Sequence, residues 1–348
     1  MGDATPTDAI SLPPLRRATI KEVAEAAGVS RSTASRALAG NGYVAAHVRE
    51  RVREAARELG YVVDATARSL KQQSSRLIGV LVSDLRNSFY ADLAFGAGRA
   101  ARRNGYTMML IDDGGIPDDE LEAAEAFVAL RVAGVVGTPV SGHLADFLVR
   151  QRTPMVEVDR QFAEGRGDAV VVDNRAAARA TTEHLLELGH RRIALFIDET
   201  DWTTGRDRHE GYADALRAAG IELDGTLVVP TGWDVDAAHS AAHQLLQTDR
   251  RPTAIFAANN VLAEGAWRAA ADLGLAVPDD LSLVSFDDAP WMSMVSPGVT
   301  AVVQDAAALG EAAIETLLER IAEPGAAPRS VVLPAQIRHR GSTASPRA

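Results

Sequence analysis

The hydrophobic rhythm of the chain changes once, near residue 75. Before that point apolar residues recur at helical spacing. Ile20, Val23, Ala24 and Ala27 fall on one helix face. Gly28 follows, the residue type that accepts the left-handed backbone at a helix end. Ser30 suits an N-cap, so a second helix is predicted from Arg31 to about Ala39. Its inward face would be Ala34, Ala37 and Leu38, with Val29 packed in the turn. Two short helices on a glycine turn make a helix-turn-helix. Asn41-Gly42 marks a further turn. A third helix is predicted from about His47 to Leu59, with Val48, Val52, Ala55, Ala56 and Leu59 inward and Gly60 ending it. Asp64 can cap a short helix, Ala65 to Leu70, before the polar stretch Lys71 to Ser75. An isolated helix this short is unstable in water and needs a partner to form.

Beyond residue 75, short apolar runs alternate with amphipathic segments. Strands are predicted at Leu77–Val82, Thr107–Ile111, Gly134–Val136, Met155–Val158, Ala169–Val172, Ile193–Ile197, Thr226–Val229, Ala254–Phe256, Leu283–Phe286 and Ala301–Val303. Helices intervene, among them Tyr90–Asn104, Arg175–Leu188, Gly211–Ala219 and Val261–Leu273. This alternation implies parallel sheets covered by helices on both faces. One sheet does not comfortably hold so many strands, so two subdomains are expected. The fold class is thus an all-α helix-turn-helix headpiece followed by α/β, with two doubly wound parallel-sheet subdomains.

Composition narrows the partners. The 348 residues are 47% apolar and 24% charged, with no cysteine, which excludes disulfides and thiolate metal sites and suits a cytoplasmic protein. No apolar run is long enough to span a bilayer. Met1 to Pro14 lacks an apolar segment of secretory type, and residues 1–17 read as a disordered tail. The net charge of −11 is unevenly spread. Residues 15–75 hold 11 Lys and Arg against 6 Asp and Glu, a net +5, and the rest of the chain carries −16. A small basic domain therefore accompanies a large acidic one, an asymmetry that suits a DNA-binding headpiece.

In a helix-turn-helix the second helix enters the DNA major groove. Arg31, Ser32 and Arg36 fall on its outward side, and Thr19, Ser30, Thr33 and Ser35 are short donors suited to phosphate oxygens. A plain helical hairpin within a larger domain is the simpler reading. It fits poorly, because the outward face is basic and hydroxylated rather than mixed.

The run Thr19-Ile20-x-Glu22-Val23-Ala24-x-x-Ala27-Gly28-Val29-Ser30-x-x-Thr33-x-Ser35-Arg36 resembles the headpiece of the LacI/GalR family of bacterial repressors. The likeness continues through Val48-Arg49-Glu50-Arg51-Val52, Leu59-Gly60-Tyr61 and Ala67-Arg68-Ser69-Leu70. Arg49 and Arg68 thereby join the candidate DNA contacts. Ala39, Ala45 and Val63-Asp64 depart from the family's common Asn, Ser and Pro-Asn. The resemblance implies that residues 63–75 form a hinge helix and linker, pairing with its twin in the minor groove while Leu70 wedges between base pairs. The alternative is that Leu70 packs on the body. It implies a headpiece over 18–62 and an effector-binding and dimerisation domain over 76–340, of periplasmic-binding-protein type I. Crossovers are expected near Asp159–Phe162, Asp287–Trp291 and Ile321–Pro324, giving an N-subdomain of about 76–159 and 292–321 and a C-subdomain of about 162–287 and 324–340.

In open α/β sheets, ligands sit beyond the carboxyl ends of the strands. There the chain offers Asn87, Phe89 and Tyr90 after the first strand, then Asp159, Trp233, Asn259, Asp287 and Gln304 after later ones. Arg208 is placed in a loop before Gly211-Tyr212. Each matches a family effector-contact position, though Ser88 and Asn260 replace a usual Pro and Asp. Carboxylates and an arginine that bridge hydroxyls, beside an aromatic plate, suit a small sugar. A purine is the alternative, since Phe89, Tyr90 and Trp233 can stack on a base. His239 and His243 with Asp236 suggest a metal only weakly, because nothing completes the ligand set. Gly96-Ala97-Gly98 lies within a helix and is no dinucleotide fingerprint. No catalytic constellation, cofactor motif or metal site stands out. The expected protein is a homodimeric, ligand-responsive repressor, not an enzyme. A periplasmic solute-binding protein and a nucleotide-dependent enzyme are the rivals, the first opposed by the basic headpiece and the second by the missing glycine fingerprint.

Overall fold

The computed structural model describes residues 18–39, 43–62, 75–162, 164–198 and 200–347. The expected tail over 1–17, the Asn41-Gly42 turn, and the hinge with Arg68 and Leu70 lie outside the described residues. The chain divides into two units, Met1–Ser74 and Ser75–Ala348.

In the first unit three helices close a small core: α1 (Ile20–Ala26), α2 (Arg31–Ala39) and α3 (Ala46–Glu58). Helix α1 starts on a capping box, in which the Thr19 backbone N–H donates to Glu22 at 2.7 Å and the Glu22 N–H donates back to the Thr19 hydroxyl at 3.4 Å. Gly28 takes a φ of +61°, so the turn needs a residue that tolerates the left-handed region. Val23, Ala24, Ala27, Ala34, Ala37, Val52, Ala55 and Ala56 are buried together. Mostly small side chains let such short helices approach closely. Leu59, read as inward, is instead exposed just past the end of α3.

The second unit is built from two six-stranded sheets. The first contains β1 (Leu77–Val82), β2 (Thr107–Asp112), β3 (Gly134–Gly137), β4 (Met155–Val158), β5 (Asp168–Val172) and β11 (Ser330–Leu333), in the order β11-β5-β4-β3-β1-β2. The second contains β6 (Ile193–Ile197), β7 (Val228–Pro230), β8 (Ala254–Ala257), β9 (Ser282–Phe286), β10 (Thr300–Gln304) and β12 (Ala335–Arg338), in the order β12-β10-β9-β8-β6-β7. All pairings are parallel except β10 with β12. The strands are apolar on both faces, as helices on both sides require. Within β1, Ile78, Val80 and Val82 join one cluster while Leu81 packs with Phe127 in another.

The connecting helices are α4 (Ser88–Arg103), α5 (Pro117–Ala129), α6 (His143–Arg150), α7 (Asn174–Glu187), α8 (Thr203–Ala218), α9 (Val235–Leu246), α10 (Asn260–Asp272) and α11 (Ala306–Ala322). Helix α11 returns to the first subdomain and packs on α4. Glycines permit this approach. A Cβ on Gly96 would collide with the Ala307 carbonyl, and one on Gly310 with the Leu93 carbonyl.

The crossovers differ from those expected at Asp159–Phe162, Asp287–Trp291 and Ile321–Pro324. Strand β5 still pairs with β4, so the first crossover follows Val172. Strand β10 pairs with β9, which moves the second to between Gln304 and α11. Strand β11 joins β5, which moves the third to between Leu333 and Ala335. Two short strands, β11 and β12, went unforeseen. The body also runs past residue 340: Ser342 accepts from the Thr300 N–H at 2.8 Å and its carbonyl from the Leu283 N–H at 3.0 Å.

Candidate functional site

The carboxyl ends of β1 and β4 in one sheet face those of β6, β8 and β9 in the other across a cleft. Asn87 caps α4 by accepting the Phe89 N–H at 3.1 Å, which fixes the start of the helix carrying Phe89 and Tyr90. Asp159 and Asp287 follow β4 and β9 with φ of +72° and +66°. A side chain other than glycine is uncommon there, and such strain concentrates at functional sites. Arg208 is not in a loop, as the sequence suggested, but in the second turn of α8. That helix begins earlier than its apolar period shows, because its first turn is threonines and glycine.

Seven predicted side chains, Asn87, Phe89, Tyr90, Asp159, Arg208, Trp233 and Asp287, line one enclosed space together with Thr204. They leave about 10 Å³ free, about the least that holds one water. Asn259 and Gln304 stand behind them. Asn259 caps α10 and donates to Asp198 at 3.0 Å, and Gln304 donates to Asp287.

Two arginines are buried here. Arg208, 2% exposed, donates to Asn174 at 2.8 Å and to the Ala258 carbonyl at 2.6 Å, and lies over the Phe286 ring at 3.7 Å. Arg160, 1% exposed, donates to the Pro139 carbonyl at 2.6 Å and to Ser83, and lies 4.0 Å from the Trp202 ring centre. Burial pushes Asp159 up to about 6, opposed by Arg160 and Arg208 and helped by Asp287 and Asp198. Burial likewise raises Asp287 and Asp198, against the pull of Arg208. Several buried polar atoms have no partner among the described residues: Tyr90 Oη, Asp198 Oδ1, Trp233 Nε1 and Gln304 Oε1. An unpartnered buried polar group costs about 1–3 kcal/mol. Four around one cleft are hard to explain unless something polar satisfies them.

Thr204, Trp202 and Asp198 were absent from the predicted set. Asp198 directly follows β6, so the strand-end rule that found Asp159 and Asp287 would have found it too. Across the cleft, Asn87 and Asn260 exchange side-chain hydrogen bonds of 3.1 and 2.9 Å, and the Gln161 N–H donates to Thr203 at 2.9 Å.

In the headpiece, Ser30, Arg31, Ser32 and Arg36 are exposed and Thr33 and Ser35 half-buried. Ser30 accepts the Thr33 N–H at 3.1 Å, so it caps α2. The Thr19 hydroxyl is already committed to Glu22 at 2.9 Å. Arg49, half-buried, donates to the Val44 carbonyl at 3.4 Å and so ties down the segment entering α3. His239 donates from Nε2 to Asp272 at 2.8 Å, and the described residues contain no group of three or more His, Cys, Asp or Glu able to hold a metal.

Residues 19–64 match the lacI family of bacterial regulatory proteins, and residues 182–343 match a periplasmic binding protein-like domain. The ribose operon repressor of Haemophilus influenzae is 31% identical over 317 residues, 91% of this chain and 96% of that protein. The HTH-type transcriptional repressor PurR of Vibrio atlanticus is 33% identical over 307 residues, 87% of this chain and 92% of that protein. Among solved structures, the lac repressor dimer bound to operator and the anti-inducer ONPF matches with a TM-score of 0.84 at 26% identity, covering 94% of this chain and 100% of that one. The transcriptional regulator CelR–cellobiose complex matches with a TM-score of 0.72 at 30% identity and the same coverage. With a helix-turn-helix headpiece, a two-sheet body and relatives aligned along nearly its whole length, the chain belongs to the LacI family of bacterial transcriptional regulators.

Proposed function

We propose that this regulator is a cytoplasmic homodimeric repressor of carbohydrate-utilisation genes that acts without catalysis and takes a small neutral sugar in the cleft. Two headpieces read a pseudo-palindromic operator, with Arg31, Ser32 and Arg36 at base edges and Thr19, Ser30, Thr33, Ser35 and Arg49 toward phosphates. Arg68 and Leu70 belong to the hinge. Asn87, Phe89, Tyr90, Asp159, Arg208, Trp233 and Asp287 form the effector site, with Asn259 and Gln304 holding Asp198 and Asp287 in place. Effector binding changes the angle between the subdomains and so the spacing of the headpieces.

The observation that carries this reading is the convergence of seven side chains from both subdomains on one enclosed space, with two of them, Tyr90 through Oη and Trp233 through Nε1, left without a partner among the described residues. Hydroxyls donate freely to Asp159 and Asp287, whereas an anion would be repelled by them. Ribose and cellobiose in the names of relatives are in keeping with a sugar. A purine is the second reading. It is favoured by the Trp233 ring, which lies 6.2 Å from Tyr90 and 6.3 Å from Trp202, and by the PurR relative. A thermal-shift screen of monosaccharides, disaccharides, nucleobases and nucleosides separates the two. An effector at about 100 times its dissociation constant adds about 2.7 kcal/mol, a rise of roughly 5–10 °C. The rise should vanish in Arg208→Ala and Asp287→Ala. A shift given only by nucleobases favours the purine, and one indifferent to both substitutions removes the cleft from the site.

A further inference from the structure

All six strands of the first sheet run parallel, so their amino ends share one edge. The chain enters β1, β2, β3 and β4 through residues 75–76, 102–106, 130–133 and 150–154. These segments hold Arg76, Arg102, Arg103, Arg131, Arg150 and Arg152 and no acidic residue. Arg166 and Arg329 precede β5 and β11. The opposite edge is the reverse: Asp84, Asp112, Asp113 and Asp159 end or follow β1, β2 and β4. With neighbouring strands about 4.8 Å apart, the arginine edge runs about 24 Å.

The arginines entering β1 to β4 are exposed. Arg102, Arg131, Arg150 and Arg152 make no side-chain ion pair or hydrogen bond among the described residues. Arg76 lies 5.0 Å from the Tyr106 ring centre, and Arg103 is held by Glu311 at 3.1 Å. Cations at helix ends offset the helix dipole, which accounts for part of the row. It does not account for Arg76, Arg166 and Arg329, which end no helix. Nor does it explain the backbone of Arg131 and Arg152, both at φ +54°. The same turn after α4 and α8 is made by Gly105 and Gly220, which reach the left-handed region without strain. After α5 and α6 the chain accepts that strain and keeps an arginine on the edge.

Resting on the binding of DNA by the headpiece, we infer that this edge of the body is a second DNA-contacting surface, which takes backbone phosphates of the duplex and reads no bases. Guanidinium forks match phosphate oxygens. Duplex DNA presents one charge per about 1.7 Å of its axis, so a straight row of free cations meets phosphates along its whole length. The chain tethers the two. The segment matching the lacI family ends at residue 64, the body begins at Ser75, and Arg76 leads straight into β1. Residues 65–74, even fully extended, reach no more than about 35 Å. A protein partner fits less well. Beside the row, Leu130 and Val149 are the exposed large apolar side chains, too few for the dry centre of a protein interface.

The test is fluorescence anisotropy of the full chain on a random-sequence duplex of about 40 bp, repeated from about 50 to 200 mM KCl. Each phosphate contact contributes about 0.9 to the slope of log affinity against log salt. Arg131→Gln with Arg152→Gln, and separately Arg76→Gln with Arg102→Gln, should each lower that slope by at least about 1 and weaken binding at least about threefold at the lowest salt. Arg191→Gln with Arg250→Gln removes the same charge from exposed positions of the second subdomain and should leave the slope within about 0.3 of the parent. The second edge pair keeps the test valid should the first disturb the fold. Equal losses in edge and control pairs reduce the effect to net charge and overturn the second surface. Slopes unchanged in both edge pairs overturn it too, and point to an acidic protein as the partner of this edge. A parent chain that ignores the duplex overturns the headpiece reading and this one together.

Discussion

The side-chain amides of Asn87 and Asn260 exchange two hydrogen bonds, 3.1 and 2.9 Å long, across the cleft between the two sheets. Both residues are buried, so neither amide has bulk water as a ready substitute. Asn260→Ala should cost about 1–3 kcal/mol, because it strands the Asn87 amide. Asn260→Asp should cost at least as much, since its carboxylate still accepts from Asn87 Nδ2 but sets an oxygen against Asn87 Oδ1 and buries a charge. Urea unfolding midpoints at constant m-value measure both. An Asn260→Ala midpoint equal to the parent would mean that the pair does not restrain the cleft.

Asp159 makes the protein sensitive to pH. Its folded carboxyl holds a proton up to about pH 6, above its ordinary value of 3.8, because burial penalises the charge. Between about pH 4 and 6 the folded state binds more proton than the unfolded chain, so stability falls as pH rises through that window. For a shift of this size the effect is on the order of 3 kcal/mol. Asp113, also pushed up to about 6 by burial, acts in the same direction. His184 and His190, both lowered by burial, act oppositely and lose stability as pH falls below about 6.5. Comparing Asp159→Asn with the parent isolates the carboxyl: the stability gap between them should widen in favour of the variant from pH 4 to 7. A constant gap refutes the assignment.

Arg31 begins α2 and is exposed. Arginine pairs most often with guanine in the major groove. Arg31→Ala should weaken the cognate operator by about 1–3 kcal/mol and relax preference at one base pair per half-site. Equal losses on operator and random duplex would make it a phosphate contact.

The body should stand alone. Residues 75–348 hold both sheets and their own cores, and they form a unit separate from Met1–Ser74. The excised body should fold cooperatively and give the same effector-induced thermal shift as the full chain. An insoluble fragment, or one that fails to respond to a ligand of the full chain, argues against this division.

The sequence by itself determined every feature with a local code. The helical period of Ile20, Val23, Ala24 and Ala27, then Gly28, placed α1 and its turn. Apolar runs placed most strands, and the segments after them located Asp159 and Asp287, each the next residue, and Asn87, the fifth, because the carboxyl end of a parallel strand opens into the cleft whatever its neighbours are. Only the tertiary structure decided which sheet each strand joins. Asp168–Val172 and Thr300–Gln304 read like any doubly buried strand; their partners, β4 and β9, settle their sheets and therefore the crossovers. The four-residue strands β11 and β12 went unread, although three of the four residues of β11 are apolar, and they exist through pairing with β5 and β10. Helix α8 opens on threonines and glycine, so Arg208 looked like a loop residue until the fold turned it toward Asn174. Periodicity records what each segment buries. It carries nothing about which distant segment does the burying, and that choice sets the width of the cleft and the Asn87–Asn260 pair.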